Sequence, residues 1–115
     1  MSGRASQRKG ADAEREIVSI LQARGYPAQR GGSLSYGTAP DVYGLDGLHL
    51  EIKRHEKLNL HAAYQQSQLD ARRFQDGKPV VVHRRSREPW LITLALDDFL
   101  EIYEKNKDRL HQPGD

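Results

Sequence analysis

The spacing of apolar and polar positions changes period several times along the chain, and each change predicts an element. Ile17, Val18, Ile20 and Leu21 recur at helical spacing, so the pattern predicts a helix from Gly10 that closes at Gly25, with Arg24 in its last turn. Residues 1–8 are small, polar and basic without an acid, and read as a mobile arm. Residues 26–30 predict a short strand, and 31–40 a loop rich in Gly, Ser and Pro. Asp41–Tyr43 predicts a second short strand, and Asp46-Gly47 supplies a hairpin turn signal. Leu48, Leu50 and Ile52 then alternate with His49, Glu51 and Lys53, the period of a strand with one apolar face. Residues 61–76 read as a weakly amphipathic helix carrying Ala62, Leu69, Ala71 and Phe74, stopped by Gly77-Lys78-Pro79. Val80-Val81-Val82 has the unbroken apolar character of a central strand. A basic turn at 84–89 leads to a strand over Trp90–Leu94. Leu96, Phe99, Leu100 and Tyr103 mark a last helix, and the tail from Asn106 through 107–115 reads as frayed.

The order is therefore helix, three short strands, helix, two strands, helix. That alternation predicts an α/β fold, a single domain over 1–115 with a central mixed β-sheet flanked by helices. The length, 115 residues, suffices for one core without staples. The chain has no Cys, which excludes a disulfide framework, a thiolate metal site and a cysteine nucleophile. No apolar run reaches the length of a membrane span, and no leader pattern opens the chain, so a cytoplasmic protein without membrane contact is expected. The net charge of +2 decides little by itself, because it averages unlike regions. Arg4, Arg8 and Lys9 form one basic cluster, Lys53, Arg54 and Lys57 a second, and Arg84, Arg85 and Arg87 a third. Asp97, Asp98, Glu101, Glu104 and Asp108 concentrate acid in the last helix. The three basic clusters together favour contact with a phosphate backbone, although each alone is equally a solvated surface.

Two features carry candidate chemistry. On a helical wheel Glu14 lies over the stripe of Ile17, Val18 and Leu21, whereas Asp12 and Glu16 fall on the solvent side. A carboxylate on the core-facing stripe either pairs with an arginine or faces a site at the edge of the core. In the alternating strand, Glu51 and Lys53 share a face while Ile52 anchors the core. A hairpin through Asp46-Gly47 would bring Asp41 beside Glu51. Two carboxylates with an ammonium alongside suit Mg²⁺ or Mn²⁺ and attack on a phosphodiester. Glu and Lys on an exposed strand face are otherwise only a solvated pair. The histidines His49, His55, His61 and His83 lack the His-X₃-His or His-X-His spacing of a transition-metal site. Gly31-Gly32 lacks the Lys-Ser/Thr of a phosphate-binding loop, so no nucleotide cofactor is expected.

At these residues the chain resembles a known family. The run Arg8 to Ile17, then Gly25-Tyr26, Arg30, a Gly/Ser loop, Pro40-Asp41-Val42 and Leu50-Glu51-Ile52-Lys53 follow the motif order of archaeal-type Holliday junction resolvases, within the PD-(D/E)xK nucleases. Arg72-Arg73-Phe74 with Gln68-Leu69, Lys78 to Val82 and the Trp90 strand extend the resemblance to roughly residues 8–95. It implies a restriction-endonuclease-like nuclease core in which Glu14 is the helix-1 acid and Asp41 and Glu51 are metal-binding acids. It further implies that the Ile52 carbonyl is a ligand, that Lys53 is the catalytic lysine, and that a loop serine, Ser33 or Ser35, also acts. The expected cofactor is Mg²⁺, with Mn²⁺ possible in its place. Arg4, Arg8, Lys9, Arg30, Arg54, Lys57, Gln68, Arg84, Arg85 and Arg87 are the expected DNA contacts.

The expected activity is structure-selective, metal-dependent hydrolysis of four-way DNA junctions. Symmetrical cutting implies a twofold homodimer, with an interface near Tyr103 or the Val80 strand. Two alternatives stay open: a nuclease of the same superfamily acting on linear, nicked or flapped DNA, and a DNA-binding module of the same fold without catalysis.

Overall fold

The computed structural model describes residues 3–31 and 39–110, with residues 3–8 as backbone only. In chain order the elements are α1 (Gly3–Ala23), β1 (Gln29–Arg30), β2 (Val42–Tyr43), β3 (Leu48–Arg54), α2 (Leu60–Phe74), β4 (Lys78–Arg84), β5 (Leu91–Thr93) and α3 (Leu96–Leu110). This is the predicted order. The strands form one sheet in the order β1-β2-β3-β4-β5. β3 and β4 run parallel, joined through α2, and the other neighbours are antiparallel.

Local chemistry sets the element ends. Tyr26 N–H donates to the Leu21 carbonyl and Gly25 N–H to that of Gln22, with Gly25 at φ 91°, so α1 closes in a Schellman motif. Asn59 caps α2 by accepting from the Ala62 N–H at 3.0 Å. Gly77, at φ 131°, lies where an added Cβ would run into the backbone of Gly47, at the point where β3 and β4 begin side by side.

α1 begins seven residues before the predicted start, so residues 3–8 are helical and not a loose arm. Once a helix is nucleated, each added residue gains a hydrogen bond without a new nucleus, and no apolar stripe is required. α3 likewise continues through Leu110, beyond the predicted fraying from Asn106; residues 111–115 lie outside the described residues.

The core lies between α1 and the sheet, built from Ala13, Ile17, Val42, Leu50, Ile52 and Val80, with Val82 and Trp90 against it. The other face of β3 and β4 is covered by α2, whose Ala63, Ser67 and Ala71 are buried. Ser67 Oγ donates to the Val80 carbonyl at 3.0 Å. Both faces of β3 are therefore enclosed, and the His49–Glu51 side is no solvated face. Of the apolar residues that marked this helix in the sequence, Ala71 is buried and Leu69 is exposed. Val80 and Val81 are fully buried in an interior strand, which removes the Val80 strand as a dimer surface.

α3 differs from the other helices. None of its residues is buried, and Leu96, Phe99 and Leu100 are exposed, as are Leu91 and Ile92 of the neighbouring edge strand β5. An ion pair between Lys78 and Glu101 at 2.9 Å ties α3 to β4.

Candidate active site

The Val42↔Leu50 register of β2 and β3, continued by one residue, sets Asp41 opposite Glu51. Asp41 Oδ2 accepts from the Ile52 backbone N–H at 3.1 Å, a bond that holds the carboxylate against β3. Glu51 is buried, with Oε2 3.8 Å from the Lys53 ammonium. Glu14 approaches from α1, its Oε1 accepting from Arg30 Nε at 3.0 Å. The arginine pairing expected for Glu14 is present, and the charge of Asp41 is near enough to act on it.

The electrostatics fit a cation-binding site. Burial raises the pKa of Glu14, and the negative charge of Asp41 adds to it against the Arg30 hydrogen bond. Burial likewise raises Glu51, opposed by the His49 hydrogen bond and reinforced by Asp41 and Asp70. Mutually repelling carboxylates of this kind are relieved by a bound cation. The donors in place are carboxylate oxygens, the type suited to Mg²⁺ or Mn²⁺. The carboxylates of Asp41 and Glu51, with that of Glu14 behind them, are the groups that would hold such an ion.

The structure gives His49 a place beside Glu51 and adds Asp70 and Asp76, which the sequence did not single out. His49 is fully buried, with Nε2 3.3 Å from Glu51 Oε1 and Nδ1 2.9 Å from Asp76 Oδ2. Burial disfavours charge on this imidazole, but the bonds to Glu51 and Asp76 outweigh it and raise the pKa. One ligand atom each of His49, Glu51 and Asp70 lie within 4.8 Å of one another. Asp70, on α2, also accepts from Gln66 Nε2 at 3.0 Å. The shared face of His49 and Glu51 was visible in the strand period, but the positions of Asp70 and Asp76 had no signal.

Several expected DNA contacts are otherwise engaged. Glu16, placed on the solvent side by the wheel, accepts from Trp90 Nε1 at 2.7 Å and pairs with Arg84 at 3.2 Å. Burial opposes ionisation of Glu16, but these two bonds outweigh it and lower its pKa. Arg84 lies over the Trp90 ring, 5.3 Å from its centroid, and is a strut between α1 and β4, not a free cation. Arg30 is spent on Glu14. Arg54 is half-buried. Gln68 lines a depression with Tyr64, Arg72 and Asp98, to which Glu14, Asp41 and Glu51 do not contribute.

Lys53, Lys57 and Gln66 instead line one open groove with His55 and Asn59. The adjoining hollow is lined by His55, His83 and Arg85. Burial lowers the His55 pKa, and the positive charges of Lys53 and Lys9 lower it further. Lys9, Lys57, Arg85 and Arg87 are exposed. The turn bearing Arg85 and Arg87 is held by Glu56, which accepts from the Ser86 N–H at 2.9 Å and its hydroxyl at 2.8 Å. Ser33 and Ser35 lie outside the described residues, as do the side chains of Arg4 and Arg8.

The structure is thus an α/β domain: a mixed sheet with three helices, with Glu51 and Lys53 on β3 and Asp41 just before the antiparallel β2. The profile of the archaeal Holliday junction resolvases, Hjc, matches residues 5–108, and the chain belongs to that family. Membership carries the activity with it: the protein is a Holliday junction resolvase. Its fold is similar to that of Archaeoglobus fulgidus Hjc, a Holliday junction resolvase from an archaeal hyperthermophile. The two chains share 25% identity at a TM-score of 0.55 over 75% of this chain and 72% of that one. No curated protein matches.

Proposed function

We propose that the chain resolves four-way junctions as a Mg²⁺- or Mn²⁺-dependent homodimer, with Asp41, Glu51 and Glu14 as its acidic centre and Lys53 as its catalytic lysine. The bond from the Ile52 N–H to Asp41 carries this reading, because it holds that carboxylate against β3 opposite Glu51, whose neighbour Lys53 lines a basic groove. When bound, the cation supplies Lewis acidity at a phosphoryl oxygen and acidifies water. Lys53, beside Glu51, is available to offset charge that builds on the phosphate during in-line attack. Arg30 holds Glu14 towards the same centre. Lys57, Arg85 and Arg87 hold the backbone of the DNA arms along the groove. No recognition helix is in evidence among the described residues, and shape-selective binding is the reading adopted.

Cutting two opposed strands needs two such centres related by a twofold axis. The exposed apolar face of α3 and β5, with Leu96 at 69% and Ile92 at 57% exposure, supports pairing there. No helix among the described residues is long and apolar enough to cross a membrane. On this reading the enzyme works in the cytoplasm.

The test gives the purified protein a four-way junction, a linear duplex and a flap, each with and without Mg²⁺. Selective, Mg²⁺-dependent cutting of the junction is expected. Equal cutting of all three would overturn junction selectivity, and cutting in excess chelator would overturn the metal. Light scattering on the wild type and on Phe99→Glu tests the dimer surface: a dimer that becomes a monomer is expected.

A further inference from the structure

A buried carboxylate must be held by partners, and the two oxygens of Glu51 are held differently. Oε2 faces the Lys53 ammonium at 3.8 Å, whereas Oε1 meets His49 Nε2 at 3.3 Å. His49 has no freedom of its own. Its Nδ1 lies 3.0 and 2.9 Å from the two oxygens of Asp76. The Phe74 ring lies alongside the imidazole, with centroids 6.2 Å apart and planes at 20°. Asp76 is itself placed by the chain reversal at Gln75, which adopts φ 51° directly after α2. Both ring nitrogens are therefore committed, and the ring packs alongside an aromatic partner. A histidine is an expensive way to fill a buried strand position, since an aliphatic side chain would need no partners there.

We propose that His49, clamped by Asp76 and Phe74, is a positioning residue that sets the orientation of the Glu51 carboxylate towards a divalent cation. The inference rests on the metal-dependent reading above and goes beyond it by assigning a role to residues outside the acidic centre. A carboxylate hydrogen-bonded through one oxygen presents the other in a fixed direction. Released, it turns about its side-chain torsions and must be re-ordered on each binding event. Partners behind a metal ligand typically alter affinity about 10- to 100-fold. His49 itself is not a ligand on this account, because both of its nitrogens are already used.

The test is Mn²⁺ titration of the whole chain without DNA, followed by electron paramagnetic resonance, on the wild type and on Glu51→Gln, His49→Leu, His49→Gln and Asp76→Ala. Glu51→Gln should lose the site. His49→Leu and Asp76→Ala should bind Mn²⁺ about ten-fold or more weakly. His49→Gln, whose amide nitrogen takes the place of Nε2, should recover most of the affinity. Should His49→Leu fail to fold, Asp76→Ala carries the same test from a partly exposed position. Unchanged Mn²⁺ affinity in both His49→Leu and Asp76→Ala, with loss in Glu51→Gln, would overturn the positioning role and leave the nuclease reading intact. A ¹⁴N coupling to Mn²⁺ that vanishes in His49→Leu would overturn it too, by making His49 a ligand. Wild-type affinity in Glu51→Gln would remove the metal reading itself and this role with it.

Discussion

Glu14 and Glu16 are two residues apart on one helix, and the structure gives them opposite tasks that a pair of substitutions separates. Glu16 Oε1 accepts from the Trp90 indole at 2.7 Å, and Oε2 pairs with Arg84 at 3.2 Å. Glu16→Ala removes both bonds and strands Arg84, whose side chain is only 14% exposed and whose Nε already lacks a partner among the described residues. Bonds to a charged carboxylate contribute about 1.5–3 kcal/mol each when buried. The Glu16 side chain is 36% exposed, so solvent screening reduces the two together to about 2 kcal/mol. At about 4 °C per kcal/mol for a domain of this size, Tm falls by about 8 °C at neutral pH. The bonds hold the folded-state pKa of Glu16 below the ordinary carboxylate value. Their contribution is therefore complete above the unfolded-state pKa and disappears as pH falls through the folded one, so the two melting curves should converge in acid. Thermal denaturation by circular dichroism across pH, with junction cleavage measured well below each Tm, checks this. Glu14→Gln should do the reverse: Tm is not lowered, because the amide still accepts from Arg30 and sheds a penalised charge, while cleavage falls by at least about 10²-fold. If Glu16→Ala kept its Tm and lost cleavage at low temperature, the assignment of the two acids would be refuted.

Asp41→Asn should abolish cleavage while leaving junction binding measurable by gel shift, since the basic groove is untouched. Gly77→Ala should destabilise the fold by about 1–3 kcal/mol, read from urea unfolding, because its Cβ meets the Gly47 backbone at a φ of 131°. Junction affinity should weaken steeply with salt, and Lys57→Ala with Arg85→Ala should flatten that dependence by about two phosphate contacts. An unchanged salt slope in the double variant would remove both residues from the interface.

Much of this was legible from local pattern. The element order, the bounds of β3 and the antiparallel approach of Asp41 to Glu51 all follow from periodicity and turn chemistry. The side of β3 that bears His49 and Glu51 was legible as well, because alternation fixes sides. Whether that side meets water was not, since α2 arrives through a parallel crossover and brings Asp70 and Phe74 with it. The wheel set Glu14 and Glu16 on different sides of α1, and in the structure they meet different partners. It misjudged the surroundings of Glu16, because Trp90 and Arg84 come from strands and turns more than 65 residues away. The same distance hid the engagement of Arg84, which in the chain is one of three neighbouring arginines.

The sequence by itself determined what repeats over a few residues: helix and strand identity, the close of α1 at Gly25, the side of a strand on which each residue lies, and the motif order that marks the family. Tertiary structure alone decided which polar residues became partners. A charged side chain is committed or free according to what stands opposite it in space, and burial makes that choice costly enough to hold. So Glu16 and Arg84 became a strut, His49 became enclosed behind Glu51, and Lys53 and Lys57 were left along the open groove.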